Sequence, residues 1–285
     1  MNIDTRRAGG FDWMTIWQQM YDREREQAEV VTEPEFAQYA DFWRTRAQRL
    51  ARSSEDSAQP DAFMHALQSD LRSTDTVLDV GAGTGRHVPF LARSVAHVIA
   101  VEPSEAMRTQ LEHHIEEEQL KNVTVQGEVW PHSHPSEADV VLSVNVVYGV
   151  RNLAPFAEGM NAAAQRSCYL CLGLDHPTGV LVPLWQRFHN EERYSLPAAL
   201  EALNVLHQLG YPAQMRIVPN PTSLWYLDWD DALDDVRERL RFVPNTERDQ
   251  AIRDALPTYF MQRDDGSVVS QKGNPFAALV YWSKQ

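Results

Sequence analysis

The chain has 285 residues, with 26 basic against 40 acidic side chains and a formal charge of −14; this length suffices for one large domain or for a domain with an appended cap. The acidic balance disfavours unaided binding to nucleic acid or an anionic membrane face. No apolar run reaches the roughly 20 residues of a membrane helix, and the polar start Met1 to Arg7 lacks the apolar segment of a secretory signal, so the expectation is a cytoplasmic protein acting on small molecules.

Residues 11–52 carry helical periodicity: Trp13, Trp17, Met20 and Tyr21 share one face, and Phe36, Tyr39, Ala40 and Trp43 another. Two amphipathic helices are expected there, broken at Glu33-Pro34 and followed by a polar linker from Ser53 to Pro60 and a helix over 61–72. Residues 1–60 thus read as a helical cap before a main domain spanning 61–285. Aromatic side chains at helical spacing ordinarily pack into a core. The alternative is a lid, in which Trp17, Tyr39, Trp43 and, much later, Trp185 form a water-excluding wall for an aromatic or lipophilic substrate.

From 75 to 173 strands and helices alternate, with strands near 76–80, 97–102, 122–126, 138–144 and 167–173 and helices near 86–94, 104–119 and 153–165. Such alternation predicts a parallel sheet covered by helices on both faces, an α/β doubly wound architecture. A helix from Ala199 to Leu209, a strand from Gln214 to Val218 and a terminal strand from Ala277 to Trp282 follow, with helical inserts near 178–198 and 221–265.

The segment Val77-Leu78-Asp79-Val80-Gly81-Ala82-Gly83-Thr84-Gly85 is a buried strand end, an acid and three glycines at alternate positions. Glycines there let the backbone N–H groups approach a ligand directly, and a helix begins just after, so the turn favours negative charge. A dinucleotide fingerprint requires glycine at position 86, which is Arg86. A second apolar strand, Val98 to Val101, ends in Glu102 about twenty residues on, where a ribose hydroxyl pair finds a carboxylate acceptor.

Asp79 to Gly85 resembles motif I of the class I S-adenosylmethionine-dependent methyltransferases. The resemblance covers residues 70–175 through motifs and the remainder through element order. It implies a Rossmann-like, mostly parallel seven-stranded sheet whose last strand enters antiparallel beside the fifth. It implies S-adenosyl-L-methionine as cofactor, with Asp79 serving the methionine ammonium, directly or through water, and Gly81, Ala82, Gly83 and Gly85 running against the methionyl and ribose portions. Glu102 would take both ribose hydroxyls, and Pro103 and Met107 would pack on the adenine face. Val125 to Trp130 resembles the adenine-edge segment, giving Glu128 the amino group and the Val129 N–H a ring nitrogen; Glu128 otherwise reads as a plain loop carboxylate.

The fourth strand delivers Asn145-Val146-Val147-Tyr148 to the sheet's carboxyl edge. Methyltransferases of exocyclic or side-chain amide nitrogen carry two prolines between such an Asn and an aromatic. Both are absent here, which argues against an amide or base target. Asn145 is expected beside the donor and Tyr148 at the substrate pocket, where it is a candidate catalytic residue. His176, after the fifth strand, is a candidate proton acceptor beside Asp175, or a histidine that stabilises a turn. Arg46 is placed within reach of the donor's carboxylate.

Cys168 and Cys171 lie three apart in an apolar strand, hence on opposite faces, and read as buried structural residues. Asp228 to Asp235 reads as a helix start rather than a metal site, and His132 with His134 lacks a third ligand; no metal is expected. The functional reading is methyl transfer to a small acceptor at O, N or C. The alternatives are a noncatalytic S-adenosylmethionine-binding sensor or scaffold and, further off, a nicotinamide dehydrogenase.

Overall fold

A computed structural model describes residues 10–36, 62–133, 135–176, 179–222 and 224–284. Seven strands form the main sheet: β1 (Thr76–Val80), β2 (His97–Val101), β3 (Val123–Gln126), β4 (Ala138–Val144), β5 (Ala164–Gly173), β6 (Gln214–Thr222) and β10 (Asn274–Ser283). Their order is β3-β2-β1-β4-β5-β10-β6. The pairs from β3 to β5 are parallel, and β10 runs antiparallel to both β5 and β6. This is the doubly wound, mostly parallel seven-stranded arrangement the sequence predicts, antiparallel neighbour of β5 included.

Alternate residues of each strand feed different layers, as near-continuous apolar strands must when both sheet faces are covered. Leu78, Val80 and Leu170 pack with the helices Leu153–Ala163 and Ala199–Gln208. Val77, Val140 and Leu142 pack with Ala62–Gln68 and Val88–Ser94. Cys168 belongs to the first layer and Cys171 to the second, both as free thiols. Burial holds the Cys168 thiol far above its ordinary range, so neither redox pairing nor shared metal binding is available to the two.

Helix α1 (Trp13–Val31) is capped by Asp12, whose side chain accepts from the Thr15 N–H. It packs on the first layer through Trp17. Near its start, Gln208 accepts from the Trp13 N–H at 2.7 Å; past its middle, Glu24 pairs with Arg193. Trp17, read either as a core aromatic or as part of a lid, is 1 % exposed, lies in the core, and donates from its indole nitrogen to the Val150 carbonyl at 2.8 Å. At this position the aromatic packs inward instead of walling a substrate. Trp17→Phe should cost about 1–2 kcal/mol of stability through the orphaned carbonyl and lost contacts, measured by chemical denaturation. Tyr39, Trp43 and Arg46 lie outside the described residues, as does the Ser53 to Pro60 linker.

Gly173, the last residue of β5, pairs with Ala277 near the start of β10, and Thr222 at the end of β6 pairs with Asn274. Segments 174–198 and 223–273 therefore both leave the sheet at its carboxyl edge. They pack together: Leu184 and Trp185 of the helix Val182–His189 share one cluster with Val236, Ile252 and Val268. The later insert contains the helices Trp229–Arg239 and Thr246–Ala255 and, unlike the purely helical expectation, a small antiparallel sheet. Its strands β7 (Trp225–Tyr226), β9 (Val268–Ser270) and β8 (Phe260–Gln262) are too short to register as a periodicity of two. Asp228 caps the helix Trp229–Arg239 by accepting from the Asp230 and Asp231 N–H groups, which accounts for the acidic run. Among the described residues no cluster of histidine, cysteine and carboxylate side chains is arranged to hold a metal, and no helix is long and apolar enough to cross a membrane.

Candidate functional site

The carboxyl ends of β1, β2, β4 and β5 bring the sequence motifs together. After β1 the chain turns through Gly81, Gly83 and Gly85 with φ of +78°, +59° and +85°, a region costly for residues with a Cβ. Gly81 and Ala82 donate their N–H groups to the Val101 carbonyl at 2.8 and 3.0 Å, which locks the turn against the end of β2. Space adds a second constraint at two positions. A Cβ at Gly81 would stand 2.4 Å from Val146 Cγ2, and one at Gly85 would stand 2.5 Å from Leu111 Cδ1, while Gly83 opens onto free space.

Glu102 is 8 % exposed and accepts at both oxygens, from the Gly83 N–H at 2.9 Å and the Ser104 N–H at 2.8 Å. The acid at the end of β2 thus organises the turn after β1. Asp79, 2 % exposed, lies close by. Burial, and then the Glu102 charge, push its carboxyl up to about 7. A site with two carboxylates and this raised proton affinity is built for a cation.

Ser104 caps the helix Glu105–Glu117 by accepting from the Met107 N–H. Met107 is buried at 3 %, whereas Pro103, Glu128 and Val129 are exposed at the rim. Arg108, which nothing in the sequence singles out, bonds to the first of these rim segments and lies against the second. Its Nη1 donates to the carbonyls of Glu102 and Pro103 at 2.9 and 2.7 Å, and a Cβ at Gly127 would stand 3.2 Å from its Cζ. Gly127 therefore leaves room for the guanidinium, which lies against the residue after β3 while bonding to the carbonyls after β2. Such a long-range contact leaves no local pattern.

At the end of β4, Asn145 is exposed, has φ of +58°, and donates its N–H to the Cys171 carbonyl at 2.9 Å. A non-glycine residue in the left-handed region at a sheet's functional edge is a mark of a site. Tyr148 differs from expectation. It is 5 % exposed, its hydroxyl oxygen accepts from the Gly173 N–H at 2.6 Å, and burial holds the phenol well above its ordinary range. The ring is a brace between the ends of β4 and β5, and its proton is not available for general-base work. His176 is half-buried and meets that ring edge-on, with centroids 4.8 Å apart at 77°. Trp185, 3 % exposed, packs in the insert core instead of facing solvent at the sheet edge.

The geometry accordingly gathers Asp79, the glycine turn, Glu102, Asn145 and His176 at one edge. It draws Trp17, Tyr148 and Trp185 into packing roles. Residues 77–165 match a family model described as a methyltransferase domain. Among solved structures, the chain resembles the YcgJ protein of Bacillus subtilis at 15 % identity, with a TM-score of 0.51 over 78 % of this chain and 97 % of that one. It resembles the BH2331 protein of Bacillus halodurans at 16 % identity, with a TM-score of 0.51 over 78 % and 98 %. At these identities the likeness is one of fold. A comparison with curated proteins found no match.

Proposed function

We propose that this chain, a member of the class I S-adenosylmethionine-dependent methyltransferases by its methyltransferase domain at 77–165 and its sheet order, methylates a small-molecule acceptor. The observation that carries the reading is the joined pair of acids at the glycine turn, Asp79 beside Glu102. The residues present fit S-adenosylmethionine: the turn excludes side chains where Gly81 and Gly85 sit, and a buried acid of raised proton affinity answers a cationic ligand. When bound, the donor supplies an electrophilic methyl group on a sulfonium.

Under this reading each residue has a part. Asp79 balances the ammonium charge. Gly81, Ala82, Gly83 and Gly85 keep the backbone close to the methionyl and ribose portions. Glu102 exchanges one or both of its backbone partners for ribose hydroxyls. Pro103 and Met107 border the adenine, with Glu128 and the Val129 N–H at its edge. Asn145 presents its strained backbone and carboxamide toward the reacting centre, and His176 stands where an acceptor proton would leave. Positioning and exclusion of water carry most of such a displacement. An overall charge of −14 favours small acceptors over polyanions.

Isothermal titration with S-adenosylhomocysteine tests the donor site, with micromolar binding at one site expected. Incubating the protein with methyl-labelled donor and a small-molecule extract, then separating by size, tests the acceptor class. No binding of S-adenosylhomocysteine would end the reading. Label appearing only in macromolecules would redirect the acceptor, and binding without any transfer would turn the chain into a sensor.

A further inference from the structure

The ladder between β1 and β4 ends early. Val77, Leu78 and Asp79 pair with Val140, Val141 and Leu142, and there the pairing stops, although both strands run on, to Val80 and to Val144. On their other sides the same strands stay paired, Val80 with Val101 of β2 and Val144 with Cys171 of β5. The gap therefore lies between β1 and β4. In the order β3-β2-β1-β4-β5 this is where the chain, having laid β2 and β3 on one side of β1, crosses to lay β4 on the other. Open α/β sheets bind their ligands at such a reversal.

One side chain spans the gap. In continued register Ser143 would stand opposite Val80, main chain to main chain; instead its hydroxyl donates to the Val80 carbonyl at 2.8 Å. Ser143 is 1 % exposed and is the only polar residue from Val140 to Val144. A buried carbonyl without a donor is costly, so the hydroxyl answers a need that the interrupted ladder creates. The other end of the same peptide unit is held as well. The Gly81 N–H donates to the Val101 carbonyl at 2.8 Å, and in a trans peptide the C=O and N–H point in opposite directions. The peptide plane joining Val80 to Gly81 is thus fixed from β4 on one side and from the end of β2 on the other. The glycine turn starts from this plane, directly after Asp79 and Val80. Val146, just beyond the end of β4, packs where a Cβ on Gly81 would stand, so the same segment that supplies the hydroxyl also borders the turn.

We propose that Ser143 is a positioning residue for the methyl donor: its hydroxyl takes the place of a main-chain bond, so that β1 and β4 part at the crevice while the peptide between Val80 and Gly81, and with it the turn that faces the methionyl portion, keeps one orientation. The word donor rests on the methyltransferase reading, whereas the clamp on the peptide rests on the geometry of β1, β2 and β4 alone.

The test compares S143T, which keeps the hydroxyl, with S143V, which puts a methyl group of similar size in its place, both in the full chain. At a temperature where both are fully folded, S143T should bind S-adenosylhomocysteine within about threefold of the unaltered protein, and S143V about tenfold more weakly. In the ligand-free variants the Gly81 amide should exchange its hydrogen about tenfold faster in S143V than in S143T. That acceleration should exceed any at Val77 and Leu78, which lie in the unbroken part of the ladder. A hydroxyl that served stability alone would lower the melting temperature and leave the affinity of the folded protein where it was. Equal affinities in the two variants, or exchange at Gly81 that rises no more than at Val77 and Leu78, would each overturn the proposal. S143A against the unaltered protein repeats the comparison without added volume, should either variant fail to fold. If S-adenosylhomocysteine does not bind the unaltered protein, the donor reading falls, and exchange at Gly81 still decides whether Ser143 holds the turn.

Discussion

Asp79→Asn should abolish binding of S-adenosylhomocysteine and at the same time raise the melting temperature of the ligand-free protein. The two effects have one cause. Asp79 is buried at the end of β1 with a proton affinity pushed up to about 7, first by burial and then by Glu102. Its value in the unfolded chain is 3.8, so the folded state binds the proton more tightly. The stability this group contributes is therefore complete below pH 3.8 and is lost as pH rises through about 7. At pH 8 the ionised carboxylate costs the ligand-free fold on the order of a few kcal/mol, each tenfold change in proton affinity being worth ~1.4 kcal/mol. Asparagine keeps the shape and removes the charge, so calorimetry should show a gain of several degrees at pH 8 that shrinks toward pH 5. Equal melting temperatures at pH 8 would contradict the assignment. In the unaltered protein, ligand affinity should rise with pH to about 7 and then level off, because a cationic ammonium requires the ionised acid. Below that point the loss should approach about tenfold per pH unit, one proton being displaced on binding.

Glu102→Ala should weaken S-adenosylhomocysteine binding by about a hundredfold or more. The carboxylate holds Gly83 and Ser104 through their N–H groups, so its removal loosens the turn as well as deleting the ribose acceptor. Charge-assisted hydrogen bonds of this kind are worth about 1.5–3 kcal/mol each. A ligand lacking the 2′-hydroxyl separates the two contributions. It should bind about tenfold more weakly than its parent to the unaltered protein and almost equally to the variant, a coupling read as a double-mutant cycle. If the hydroxyl matters as much to the variant, the ribose is held elsewhere. The same substitution removes the second influence on Asp79 and should shift the pH midpoint of ligand affinity downward.

Much of this edge is legible in the sequence because it is local. An apolar run, an acid and three glycines at alternate positions define a turn, and Arg86 excludes the dinucleotide form. The opposed cysteines and the acidic helix start are legible for the same reason, since period and spacing settle which way neighbouring residues face. Features made by distant segments are not. Periodicity shows that Trp17 has a buried face without showing that Val150 takes its indole proton. Nothing in the sequence around Gly127 shows that Arg108 lies against it. Tyr148 lies at the right edge for a substrate contact, yet the Gly173 N–H, 25 residues later, claims its oxygen. The strands β7, β8 and β9 have two or three residues each, below the length at which alternation can be recognised.

Helix α1 has a consequence for the order in which the chain acquires its structure. Its partners lie far downstream: Trp13 waits for Gln208, 195 positions later, and Glu33, just beyond the helix, waits for Arg248, 215 positions later. At ribosomal speeds of about 5–20 residues per second, the second interval is roughly ten to forty seconds. Until Val150 and the helix Leu153–Ala163 are made, the apolar stripe around Trp17 has no surface to cover it, and the helix Ala199–Gln208 comes later still. The first helix made is thus among the last to be placed. A nascent chain halted before residue 199, where the helix Ala199–Gln208 begins, would leave that stripe only partly covered, by Val150 and the helix Leu153–Ala163, as a handle for chaperones and a nucleus for aggregation.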